Sequence, residues 1–115
     1  LATDIDRDAV TVSLENVRAN AAREEVRVVL ADGVKAASVT DAGPYDLIVA
    51  NILANPLVAM ATGISRLAVP GATLILTGLL TWQWRQLIAA YRNRGFVLVR
   101  RHAIDGWLTL VMEKA

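Results

Sequence analysis

Cysteine is absent and histidine occurs once in the 115 residues, which removes a disulfide framework and a thiolate metal site and argues against a His-based zinc site. A cysteine-free chain fits a reducing compartment, and a cytoplasmic location is expected. Neither sign of charge is in excess: 12 basic side chains face 11 acidic ones, a net charge of +1. Long apolar runs are also missing. The stretches between Asp46 and Arg66 and between Arg66 and Arg85 carry no charge, but Asn51, Asn55 and Pro56 interrupt the first and Pro70 and Gly71 the second. Neither offers the ~20 predominantly apolar residues of a spanning helix, so no membrane partner is expected. The opening Leu1-Ala2-Thr3-Asp4 has no initiator Met, basic leader or apolar signal core, so it shows no targeting segment and reads as the middle of an element.

What is present is apolar. Residues of that kind make up 55% of the chain, enough for one compact domain and too many for a disordered tail. Charge is split along the length: residues 1–60 hold 5 basic and 9 acidic side chains, residues 61–115 hold 7 and 2. A basic C-terminal half would suit an acidic partner such as ribosomal RNA. The simpler reading is that Arg92 and Arg94 end a helix while Arg100 and Arg101 alternate on a strand edge.

Periodicity predicts alternating strands and helices. Asp6 can cap a helix that carries Val10, Leu14, Val17 and Ala21 on one face and ends near Asn20. Val26 to Ala31 reads as a strand covered on both faces, closed by Asp32-Gly33. Val34 to Gly43 has too little apolar period for a helix. Tyr45 to Asn51 is a second strong strand. Pro56 suits the first turn of a helix lined by Leu57, Met60, Ala61, Ile64 and Leu67, with Asn55 as its cap. Pro70-Gly71 turns the chain into a strand at Thr73 to Thr77. Thr81 is the expected cap of a helix bearing Trp84, Leu87, Ile88 and Tyr91, ended by Gly95. Phe96 to Arg101 and Trp107 to Met112 pair as an antiparallel hairpin about Ile104-Asp105-Gly106. The sum is an α/β fold, a mostly parallel sheet with helices on both faces and an antiparallel C-terminal hairpin.

Ligands of such sheets bind beyond the carboxyl ends of the strands, where Asp4, Asp32 and Asn51 stand. Asp4 can accept both ribose hydroxyls of an adenosyl ligand, or it is a solvated strand end or a second cap beside Asp6. In a dinucleotide fingerprint this acid follows a glycine-rich loop by ~20 residues, and only three residues precede Asp4 here. Asp32 can accept from an adenine amino group while Ile5 packs on the ring, or Asp32-Gly33 is simply a turn. Asn51, read as a buried polar residue, offers a carbonyl acceptor that can orient an amine. Asp4 and Asn51 are expected at one rim of the sheet, facing a nucleoside-sized hollow. His102 reads as structural, and Trp84 and Trp107 as core. Trp82 falls off the apolar face of its helix.

The runs Ala2-Thr3-Asp4-Ile5-Asp6, Tyr45 to Leu57, Leu76-Thr77-Gly78-Leu79-Leu80 and Gly106-Trp107 resemble the methyltransferases of ribosomal large-subunit protein eleven, the PrmA type. Val49 to Leu57 is the most diagnostic segment. The resemblance implies a Rossmann-like class I methyltransferase sheet, S-adenosylmethionine as cofactor, and lysine or N-terminal amino groups of a ribosomal large-subunit protein as acceptors, with no direct nucleic-acid partner. It also implies that Asp4 and Asn51 bind the cofactor or line the reaction site. Residues 1–115 are thereby expected to form a truncated catalytic domain without the family's first strand, glycine-rich loop and N-terminal substrate-recognition domain. Such a piece is expected to be inactive alone, with an open sheet edge that invites self-association. Two other classes stand beside this reading, an adenine-dinucleotide oxidoreductase domain and a catalytically silent interaction module.

Overall fold

Asp6 does open a helix: its carboxylate accepts from the Asp8 amide at 2.8 Å in the computed structural model, which describes residues 1–115. The chain divides into two units, Leu1–Gly43 and Pro44–Ala115. The first holds β1 (Ala2–Asp4), α1 (Arg7–Ala19), β2 (Val28–Leu30) and the short α2 (Ala37–Thr40). β1 and β2 are parallel, with Ala2 opposite Val28 and Asp4 opposite Leu30. The strand expected over Val26 to Ala31 is shorter, Val28–Leu30, the three residues that pair with β1. It is also not covered on both faces: Leu30 stays 44% exposed and Val28 and Val29 are only half-buried. Ala21, expected on the apolar face of α1, lies beyond the helix at φ 53°. α2 occupies the stretch that had no helical period and buries only Val39.

The second unit holds β3 (Tyr45–Asn51), α3 (Ala54–Leu67), β4 (Ala68–Leu80), a 3-10 turn (Thr81–Gln83), α4 (Trp84–Arg92), β5 (Phe96–Ile104) and β6 (Trp107–Lys114). Its sheet has the order β3-β4-β6-β5, with β3 parallel to β4 and β6 antiparallel to both of its neighbours. The expected hairpin is present, closed by Asp105 and Gly106 at φ 49° and 82°, and β6 is inserted between β4 and β5. Two consecutive residues of positive φ match the right-handed strand twist in a two-residue loop.

Burial alternates along β4 and β6. Leu74, Leu76, Leu108, Leu110 and Met112 are buried, and Leu57, Ala61 and Ile64 of α3 and Leu87 and Tyr91 of α4 complete the core. Cross-strand partners share a face, so the residues between them, and those paired with them on β3, form the other face. There Leu47 and Val49 are 54% and 59% exposed. In this unit the sheet is thus not covered on both faces, and Asn51, expected to be buried, is exposed with them.

Four local expectations are corrected. Asn55 is not the cap of α3; Leu53 holds that position and Asn55 lies in the first turn, beside Pro56. Thr81 is not a cap either, because a 3-10 turn intervenes and the Gln83 side chain reaches back to accept from the Leu80 amide at 2.8 Å. Pro70-Gly71 does not separate α3 from the strand; β4 starts at Ala68 and bulges, its register with β3 jumping from Tyr45–Ala68 to Leu47–Thr73. Trp107 is 58% exposed on the open face, and Trp84 is half-buried with the Arg85 and Arg101 guanidinium groups over its ring at 5.3 and 4.8 Å. Trp82, off the apolar face, is exposed as expected.

Tyr91 joins the two helices and β5. Its ring meets Phe96 edge to face at 5.7 Å, and its hydroxyl donates to the Leu57 carbonyl at 2.9 Å. Burial holds this phenol above its usual value, opposed by the Arg94 guanidinium. The Leu57 carbonyl lies inside α3 and keeps its place in the helix ladder, so Tyr91→Phe should lower unfolding stability by only about 1 kcal/mol. The folded phenol titrates above its unfolded value of about 10, so the stabilisation is complete below about pH 10 and declines as pH rises further. Urea unfolding of both proteins between neutral and alkaline pH checks this, with the difference shrinking above that point.

Candidate functional site

In the first unit the chain order strand, acid, helix is enforced locally. Asp4 ends β1, and its Oδ1 accepts from the Asp6 amide at 2.9 Å, a turn that throws Ile5 outward and presents Asp6 to α1. This bond occupies one acceptor position of the carboxylate and leaves Oδ2 open at an exposed strand end. The second cap weighed for Asp4 is thus not formed: its bond goes to the amide of the cap residue Asp6, two residues on, and not to an amide of the helix. Ala31 donates its amide to the Asp4 carbonyl at 2.9 Å, which carries the parallel pairing one step past β2. Asp32 follows and is exposed, with Gly33 at φ 60° turning the chain. Asp4, Ile5 and Asp32 are therefore brought to one rim of the β1–β2 pair, the carboxyl-terminal one. Ile5 is 68% exposed there, an apolar side chain directly after Asp4. A flat, polar-edged ring on an apolar residue flanked by carboxylate acceptors is what such a rim can bind.

In the second unit Asn51 ends β3 opposite Thr77 of β4, and exposed Ile52 and Leu53 follow it into α3. Its neighbour on β4 is Gly78, at φ +72°. A Cβ built on Gly78 would collide with Asn51 Oδ1, and would lie 3.5 Å from Cγ and 3.7 Å from the Asn51 carbonyl carbon. The carboxamide thus fills the space that a side chain at 78 would need. Thr77 and Thr109 hydroxyls share a hydrogen bond of 3.0 Å across the same stretch of β4 and β6. Gly78 was not among the predicted site residues. The available signal was a lone glycine inside an apolar strand pattern, which marks a bulge or a close approach of another chain.

His102 stands on β5 opposite Thr109, exposed and two residues before the end of that strand. No three His, Cys, Asp or Glu side chains gather to hold a metal, and no helix is long and apolar enough to cross a membrane.

The ribosomal protein L11 methyltransferase (PrmA) family matches the chain over residues 1–115. The ribosomal protein L11 methyltransferase of Bradyrhizobium diazoefficiens is 49% identical over 114 residues, which is 99% of this chain and 39% of that protein. Its counterpart in Rhodopseudomonas palustris is 48% identical with the same coverage. The chain therefore spans about two fifths of the length of these curated relatives. Among solved structures, the ribosomal protein L11 methylase of Lactobacillus delbrueckii subsp. bulgaricus superposes with a TM-score of 0.88 at 23% identity, over 99% of this chain and 57% of that one. A methyltransferase from Pyrococcus furiosus follows the same fold, with a TM-score of 0.78 at 17% identity over 97% of this chain and 60% of that one. The fold is that of the class I methyltransferases, α/β with parallel strands and an antiparallel C-terminal hairpin, and the match over every residue places the chain in the ribosomal protein L11 methyltransferase family.

Proposed function

We propose that this chain is part of the catalytic domain of an S-adenosylmethionine-dependent protein methyltransferase that acts on lysine or N-terminal amino groups of ribosomal protein L11. The family match over residues 1–115 is the observation that carries this reading. The residues present suit the cofactor. Asp4 has a carboxylate oxygen open beside an exposed Ile5, and Asp32 shares their rim. Asn51 ends its strand with an exposed carboxamide.

In this reading Asp4 accepts from the ribose hydroxyls, Ile5 packs on the adenine and Asp32 accepts from its amino group. When bound, the cofactor supplies an activated methyl on a sulfonium, so the protein's main contribution is orientation. The Asn51 carbonyl oxygen accepts from the amine and aims its lone pair. A lysine amine is protonated near neutral pH and must lose a proton first, a loss that an apolar approach such as Ile52 and Leu53 favours by disfavouring the charged form.

The test grafts residues 1–115 into the full-length Bradyrhizobium diazoefficiens relative in place of the matching segment. The graft is expected to bind S-adenosylmethionine by calorimetry and to transfer tritiated methyl groups to purified L11. Binding of reduced nicotinamide dinucleotide in place of S-adenosylmethionine, or no transfer by a graft that folds, would defeat the reading.

A further inference from the structure

Gly78 carries no chemistry of its own, yet its position is doubly constrained. We infer that Gly78 is a positioning residue for Asn51: the room left by its missing Cβ is where the Asn51 carboxamide lies, and that room sets the direction in which the amide oxygen faces.

The backbone around Gly78 is built for this. Leu76 pairs with Leu110 and Leu79 with Leu108, so three steps on β4 match two on β6 and one residue is extra. An extra residue bends and twists its strand, and a glycine of positive φ is the low-strain way to place one. The bulge sits directly after Thr77, the partner of Asn51. The hydrogen bond between the Thr77 and Thr109 hydroxyls, 3.0 Å long, ties β4 to β6 at that level and fixes the bulge against the neighbouring strand. Gly71, on the same strand, offers the contrast. It too has a positive φ, +81°, but a Cβ there meets nothing within 4 Å. Gly71 answers only to its backbone, whereas Gly78 answers to its backbone and to Asn51.

A consequence follows for the amine. The Asn51 oxygen lies beside the bulge, in the place that a Cβ at 78 would take. A methyl group at 78 would push the carboxamide away from β4 and re-aim the acceptor. This inference rests on the assignment of Asn51 to the methyl-transfer site, and its test separates the two.

In the graft described above, Gly78→Ala and Gly71→Ala are made alone and with Asn51→Ala. Gly78→Ala is expected to lower kcat/KM for methyl transfer at least about tenfold when Asn51 is present and by less than about twofold when it is Ala. The loss should fall mainly on kcat, and the Asn51 side-chain amide signals should shift in nitrogen-correlated NMR spectra. Gly71→Ala should do neither. Equal losses in both backgrounds, or Asn51 signals that do not move, would overturn the inference. Should Asn51→Ala alone leave transfer intact, the chemical role of Asn51 fails, and the amide signals decide the role of Gly78 by themselves. Should Gly78→Ala fail to fold, the double variant decides: folding recovered by removing the carboxamide supports the inference, and continued failure overturns it.

Discussion

Asn51→Ala is expected to lower kcat for methyl transfer by about 10²-fold, while the affinity for S-adenosylmethionine falls by less than about tenfold. Both effects are read in the grafted full-length protein. The split follows from the chemistry proposed for the carboxamide. The methyl donor is already activated, so little remains for the protein except to bring the amine lone pair, methyl carbon and sulfur into line. An acceptor that holds the amine acts on that alignment, and misplacement by an ångström is enough for a loss of about two orders of magnitude. Asn51→Asp refines the result. It keeps the size and an acceptor oxygen but removes the NH2 donors and adds a negative charge. Transfer should recover relative to Asn51→Ala if the acceptor matters most, and stay low if the donors do. An unchanged kcat in Asn51→Ala would leave the exposed strand tip without a role in the reaction.

The position of Asn51 was legible in the sequence and its surroundings were not. The run Leu47-Ile48-Val49 announces a strand that ends at a polar residue, and Pro56 with its apolar spacing announces the helix behind it. An apolar run nevertheless does not say which of its two faces another element will cover. Ile48 and Ala50 face α3 and α4 with the core residues of β4, whereas Leu47, Val49 and Asn51 face the other way. The same ambiguity explains Trp107, whose aromatic bulk suggests a core position although its register with Leu80 and Ile104 puts it on the open face. The ends of β4 were hidden for a different reason. Pro70-Gly71 reads as a terminator, and only the register with β3 reveals a bulge that the strand survives. Gly78 escaped because side-chain chemistry was the criterion for a site residue, and its contribution is an absence of side chain. Asp4, by contrast, was legible as an acid at a strand end beside a helix start. The pattern Asp4-Ile5-Asp6 allows a ligand acceptor, a solvated strand end or a second cap, and the structure instead makes a local turn through Oδ1 without consuming Oδ2.

The bond to the Asp6 amide and the ribose contact proposed for Asp4 would share one carboxylate, and this gives the second large effect its diagnostic form. Asp4→Ala removes the acceptor for the Asp6 amide and, in the proposed reading, two charge-assisted hydrogen bonds to ribose hydroxyls. Such bonds contribute about 1.5–3 kcal/mol each, net of the bonds to water that they replace, so S-adenosylmethionine affinity should fall at least about 100-fold. Local damage alone could weaken binding by loosening the start of α1, and Asp4→Asn separates the two causes. The asparagine oxygen can still accept from the Asp6 amide, so the turn and the Asp6 cap persist and the unfolding midpoint should stay within about 2 °C of the parent graft, a shift worth about 1 kcal/mol or less. What asparagine cannot do is accept two hydroxyls with a charged group, because its second atom is a donor. Affinity in Asp4→Asn should therefore remain at least about tenfold below the parent despite an intact fold. Recovery of full affinity by asparagine would mean that Asp4 serves the turn and nothing else. The ribose contact proposed for Asp4 would then be lost from the reading.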